Sequence, residues 1–192
     1  PAVAITDRNN LFSLVKFYRA AEGAGVKPVA GADVLVAEGN EPAWPLTLLV
    51  RDHAGYLSLS RLLTRAWMQG HRHDGVVVRP EWLGDDATGL FALAGRHSRA
   101  GQLLAGGRDD LAGQALADLQ RVYGEDCFLE LTRCGLDGED DFNGFALQAA
   151  SARGIPVVAS NDVRFLGADG FEAHEARVCI ASGRVLDDPK RP

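Results

Sequence analysis

Basic side chains are in deficit: 20 Lys and Arg stand against 26 Asp and Glu, a formal charge of -6. A broad face for nucleic acid needs clustered cations, so the chain itself is not expected to present one. A DNA-handling partner in the same assembly remains compatible with that charge. Cysteine is scarce too. Cys127, Cys134 and Cys179 are widely spaced and form no CxxC pair, which points to reduced thiols in the cytoplasm. No apolar run approaches the ~20 residues of a membrane span, and no signal peptide opens the chain. A P-loop, a GxGxxG at a strand–helix turn and a GxSxG are all missing, so nothing indicates a nucleotide cofactor. Histidine is rare, five in all, which weighs on every metal-site reading. An initiator Met is also absent, and strand-like sequence begins at residue 2. The chain therefore reads as part of a longer polypeptide, beginning inside a domain, with the polar, Pro-stopped DDPKRP leading onward.

What is present is ordinary for a globular protein. Hydrophobic residues make up 46% and charged residues 24% of 192 positions, enough for one domain with a sizeable core. The opening stretch organises the rest. Ala2–Thr6 is a short β-prone run ending at Asp7, and Leu11, Leu14, Val15 and Tyr18 then recur at helical spacing. Gly23 and Gly25 stop that helix, and Pro28–Val36 resumes as a strand. Further strands are expected at Trp44–Val50, Gly89–Ala94, Cys127–Thr132 and Ile155–Ala159. Helices are expected at Gly55–Met68, Asp109–Tyr123, Glu139–Arg153 and Phe171–Ser182, with one turn at Pro80–Leu83. The order β-α-β-β-α-β-α-β-α-β-α favours a parallel sheet covered by helices, open or closed into a barrel. A barrel is preferred because polar residues follow four strands: Asp7/Arg8, Arg96/His97, Arg133/Cys134 and Asn161/Asp162/Arg164. A closed sheet brings such ends into one ring.

Two constellations invite a chemical reading. His71-Arg72-His73 is an HxH, which chelates when both imidazoles leave one strand face. Its polar, Gly-flanked setting predicts an exposed loop instead. His53 and His174 sit alone on helices, and His97 is a single imidazole at a strand end. Asp7, Asp33 and Asp162 form the stronger set. Three carboxylates at one mouth need a cation. Either a divalent metal supplies it, activating water for phosphoester hydrolysis with Asp7, Asp33, Cys134, Asp162 and His97 as candidates, or Arg8, Arg96 and Arg164 do. Guanidinium stays ionised and pairs with carboxylates, and the arginine reading is preferred. Cys134 is expected to be a small buried thiol.

The segments AITDRNNLFSLVKFYRAAEGAGVKPVAGADV, DHAGYLSLSRLLTRAW, FLELTRCG, IPVVASNDVRF and FEAHEARVCIASGRVLDDPKRP together resemble the polymerase-and-histidinol-phosphatase (PHP) domain. The likeness is to the form found at the N-terminus of bacterial replicative DNA polymerase III alpha subunits, and it runs in order through all 192 residues. The resemblance implies a distorted (β/α)7 barrel, here one partial PHP domain over 1–192. Its first strand would precede Pro1, and a polymerase palm would follow residue 192. It also implies which positions once held metal. Asp7-Arg8 stands where metal-holding members have Asp-His, Asp33 where they have Glu, and Arg96 where they have Cys. Cys134 stands for His, and Asp162 and Arg164 for the Asp and His of an Asn-Asp-Val-His run. Guanidinium cannot coordinate a cation, so these are expected to be vestigial positions without metal or catalysis. The implied parent is a Mg²⁺-dependent DNA-directed DNA polymerase of replication, a nucleotidyltransferase. In it this domain would stabilise the polymerase and dock the proofreading (epsilon) subunit, with DNA held by other domains. The rival expectation is an active metal-dependent phosphoesterase or 3′–5′ exonuclease.

Overall fold

The computed structural model describes residues 1–189; the last three residues of DDPKRP lie outside them. The chain divides into two compact units, Pro1–Ser160 and a smaller one that begins at Asn161.

In the first unit the strands are β1 (Ala2–Arg8), β2 (Lys27–Val36), β3 (Trp44–Val50), β4 (His71–Arg72), β5 (Gly75–Val76), β6 (Leu90–Ala94), β7 (Cys127–Leu131) and β8 (Val157–Ala159). Between them lie α1 (Leu14–Gly23), α2 (His53–Gln69), α3 (Pro80–Asp85), α4 (Arg99–Ala105), α5 (Asp109–Tyr123) and α6 (Glu139–Arg153). Six strands form one open sheet in the order β1-β2-β3-β6-β7-β8, curled into a half-barrel. The expected all-parallel arrangement is corrected at one strand: β3 runs antiparallel to both β2 and β6, while the other pairs are parallel. The cause is chain length. Val36 and Trp44 are joined by a short loop, and a parallel crossover needs a dozen or more residues.

Residue alternation gives the sheet two unlike faces. Val34, Leu46, Leu48, Leu90, Ala92 and Leu129 are almost wholly buried on one face. There they join Leu59, Leu62, Leu116, Phe142 and Ala146 of α2, α5 and α6 in one core. Each such leucine contributes about 1.5–3 kcal/mol by leaving water. The opposite face, with Leu35, Leu49, Phe91, Leu93, Phe128 and Val158, is only half-buried.

Local signals explain the helix ends. Asp52 caps α2 by accepting the Gly55 N–H at 3.0 Å, and that bond, followed by Arg51, holds its carboxyl below the usual range. Acidic residues open α5 and α6, matching the positive end of each helix dipole. Gly154 then ends α6 in the left-handed region at φ 68°.

Three elements differ from expectation. The HxH segment is a two-stranded ribbon, β4 with β5, instead of a loop. The turn at Pro80 extends to Asp85 as α3. And α4 was not expected at all. In the second unit α7 (Phe171–Ser182) follows a 3-10 turn at Ala168–Gly170. Phe165 packs edge-on against Phe171 at 5.9 Å.

Candidate functional site

The strands β1, β2, β6, β7 and β8 share one direction, so their carboxyl ends lie along one edge of the sheet. Asp33 is fixed there by two hydroxyls: Thr47 donates to Oδ1 at 2.6 Å and Thr6 to Oδ2 at 3.3 Å. The cause is register. Thr47 is paired with Asp33 across β3, and Thr6 lies two residues before Arg8, the partner of Asp33 on β1. Arg8 therefore rises beside Asp33 on the same face, exposed to solvent. Asp7 pairs with Ala32 and so faces the other side. Its Oδ2 accepts the Ser13 N–H at 2.7 Å, tying β1 to the start of α1. The two aspartates are thus not brought to one face.

Asn9 locks this strand end. It is 5% exposed and has a positive φ of 54°. Its amide donates to the Val76 carbonyl at 2.7 Å and accepts the Leu35 N–H at 2.8 Å, while the Trp67 indole donates to its carbonyl at 2.8 Å.

At the end of β6, Arg96 donates to the Asp137 carbonyl at 2.8 Å and to Nε2 of the exposed His97 at 3.0 Å. Glu130 on β7 belongs to the same face as Asp33, through the register Asp33–Thr47–Leu93–Phe128. It accepts the Ser160 hydroxyl at 2.6 Å. A Cβ on Gly95 would lie 2.7 Å from its other oxygen, so glycine is what lets the carboxylate lie there.

The loop after β7 carries Cys134, which is exposed, contrary to the buried thiol expected; Cys127 and Cys179 are the buried ones, and all three are free. Burial pushes the Cys127 thiol up to about 11, which keeps it protonated and inert. Glu139, 5% exposed, gathers the Cys134 loop. Thr132 donates at 2.6 Å, and the N–H groups of Cys134 and Gly135 at 3.0 and 2.9 Å. Led by the Cys134 amide, these donors hold its carboxyl down at about 2.

In the second unit Arg164 grips both oxygens of Asp162, at 2.7 and 2.8 Å. In the β4–β5 ribbon the HxH does not converge. His71 meets Trp67 edge-on at 5.9 Å, His73 is 86% exposed, and Arg72 between them is bound to Asp74 and the Glu41 carbonyl.

Sequence reasoning missed Glu130, Glu139 and Asn9. Glu130 had a signal: Phe128, Glu130 and Thr132 alternate with the core-facing Cys127, Leu129 and Leu131. At the positions expected to be vestigial, arginine has no lone pair to offer a cation, and among the described residues no three His, Cys, Asp or Glu side chains gather to hold a metal ion.

The chain is thus a mixed α/β half-barrel with a polar carboxyl edge. Residues 1–134 match the PHP domain, and the chain belongs to that family. It is 65% identical over its whole length to the DNA polymerase III subunit alpha of Xylella fastidiosa (strain Temecula1), of which it spans 16%. It is 42% identical over its whole length to the same subunit of Escherichia coli (strain K12), spanning 17%. Among solved structures, a protein assigned as a metal-dependent phosphoesterase from Bifidobacterium adolescentis shares the fold, with a TM-score of 0.56 and 11% identity. That match covers 83% of this chain and 76% of the other. No helix among the described residues is long and apolar enough to cross a membrane.

Proposed function

We propose that this chain is the PHP module of a bacterial DNA polymerase III alpha subunit, where it acts as a metal-free scaffold. The observation that carries the reading is the 65% identity, over the whole length of the chain, to a subunit of that name. In the parent, DNA-directed nucleotidyl transfer would use Mg²⁺ in a palm C-terminal to this module, and DNA would be held by other domains. The module itself stabilises the polymerase and docks the proofreading exonuclease (epsilon) subunit in the cytoplasm. What supports the absence of metal is the chemistry at the strand ends. Arg8, Arg96 and Arg164 carry fixed positive charge without a coordinating atom, and the carboxylates of Asp33 and Asp162 are engaged by hydroxyls and by guanidinium.

The experiment is metal analysis of the purified chain after growth with zinc and manganese, paired with a phosphoester hydrolysis assay. The expected result is metal far below one equivalent and no turnover. Stoichiometric metal, with hydrolysis abolished by Asp162→Ala, would instead establish the phosphoesterase reading. Docking is checked by titrating the purified exonuclease subunit against the chain, with saturable binding expected.

A further inference from the structure

The loop between β7 and α6 is built around a carboxylate, and the one it holds belongs to the chain itself. Both oxygens of Glu139 are gripped. Oε1 accepts the Thr132 hydroxyl at 2.6 Å and the Cys134 N–H at 3.0 Å, and Oε2 accepts the Gly135 N–H at 2.9 Å. Successive N–H groups converge on one anion where the backbone passes through the left-handed region, and Gly135 lies there at φ 78°. The donors come from the loop, and none from the helix that follows it. Glu139 is almost wholly buried, so water competes little for these bonds. Three donors to one ionised group in such a setting make an oxyanion site.

The loop does not depend on Glu139 alone. Asn143, one turn further along α6, donates to the Thr132 carbonyl at 2.8 Å, and Arg96 donates to the Asp137 carbonyl at 2.8 Å. Neither bond involves the Glu139 side chain, and Arg96 brings a fixed positive charge to the same loop. Asp140 and Asp141 are exposed, so solvent screens their repulsion of a second anion. Glu139 is the first residue of α6, where a helix frays most readily. We propose that Thr132, Cys134 and Gly135 form an oxyanion site for a small carboxylate, which the chain keeps closed by seating its own Glu139 there. The site owes nothing to the polymerase reading.

The test uses Glu139→Ala, which deletes the heavy atoms that acetate would put back. The full 192-residue variant is titrated with acetate, with acetamide and, at matched ionic strength, with sodium chloride. Hydrogen exchange at the Cys134 and Gly135 amides is followed throughout. Acetate is expected to slow both amides saturably, by about tenfold at ten times its Kd, because exchange then requires an empty site. Acetamide, which sets an NH₂ against one of the donors, and chloride are expected to give no saturable effect. The parent chain, with Glu139 seated, is expected not to respond to acetate. If Glu139→Ala is unfolded in buffer, acetate is expected to restore its amide spectrum where chloride does not, and failure of both overturns the site. A folded variant indifferent to acetate overturns it too, as does one that responds equally to acetamide or chloride. Saturable protection of these amides in the parent chain overturns the role of Glu139 as the occupant.

Discussion

Asn9 has a backbone at φ 54°, a region that costs a side-chain-bearing residue free energy but costs Asn and Asp least. The conformation persists because the amide links β5 to β2 from that position. Asn9→Ala keeps the unfavourable φ and strands both partners, so it is expected to cost about 2–4 kcal/mol by urea unfolding. Asn9→Gly relieves the backbone and is expected to cost less than Ala; the reverse order would mean that the positive φ carries little strain.

Glu139 makes a prediction in pH. Its folded carboxyl titrates near 2, against an ordinary value of 4.5. A carboxyl depressed by folding contributes stability that is complete above the unfolded value and is lost as pH falls through the folded one. Wild type should therefore lose stability between 4.5 and about 2 more steeply than Glu139→Gln, which has no proton to gain. Identical acid slopes in the two proteins would refute the assignment. Amide exchange at Cys134 and Gly135 should also rise in Glu139→Ala, because their acceptor is gone.

At the level of elements, α4 owes its position to a glycine. A Cβ on Gly101 would meet the Arg96 carbonyl oxygen at 1.9 Å, so only glycine lets this helix close onto the turn that carries Arg96 and His97. Gly101→Ala is expected to cost roughly 1–3 kcal/mol through overpacking and to move the His97 imidazole resonances. A neutral substitution would show that the turn yields freely.

The same helix marks how far the sequence could be read. The alternation of strands and helices was legible because each strand is a short apolar run punctuated by Gly or Pro. The reversal of β3 was implicit in the short loop after Val36, but counting elements does not assign direction. α4 escaped because it has only seven residues, with Gly101 among them and Gly106 at its end, so no amphipathic period could build up. At the site, arginine at strand ends was visible from the residues. Asn9 was not, since its partner Val76 is 67 residues away. Nor was the separation of Asp7 from Asp33, which depends on a register offset of one residue, and such an offset turns a side chain to the other face.

For the whole molecule, the proposed charge compensation without a cation has a thermodynamic consequence that needs no activity assay. A ligand that binds only the folded state stabilises it by about 2.7 kcal/mol at a hundredfold excess over Kd. For a chain of this size each kcal/mol moves Tm by about 2–4 °C. A functional zinc or manganese site would therefore raise Tm by about 5–10 °C, and a chelator would reverse it. Arg8, Arg96 and Arg164 cannot be removed by chelation, and the hydroxyl bonds of Thr6 and Thr47 to Asp33 are indifferent to it. The melting curve is accordingly expected to coincide in EDTA, in manganese and in buffer alone. If a saturable, chelator-reversible rise appears and vanishes in Asp33→Ala, the carboxyl edge holds a cation, and the module has retained a metal centre that its arginines were thought to have replaced.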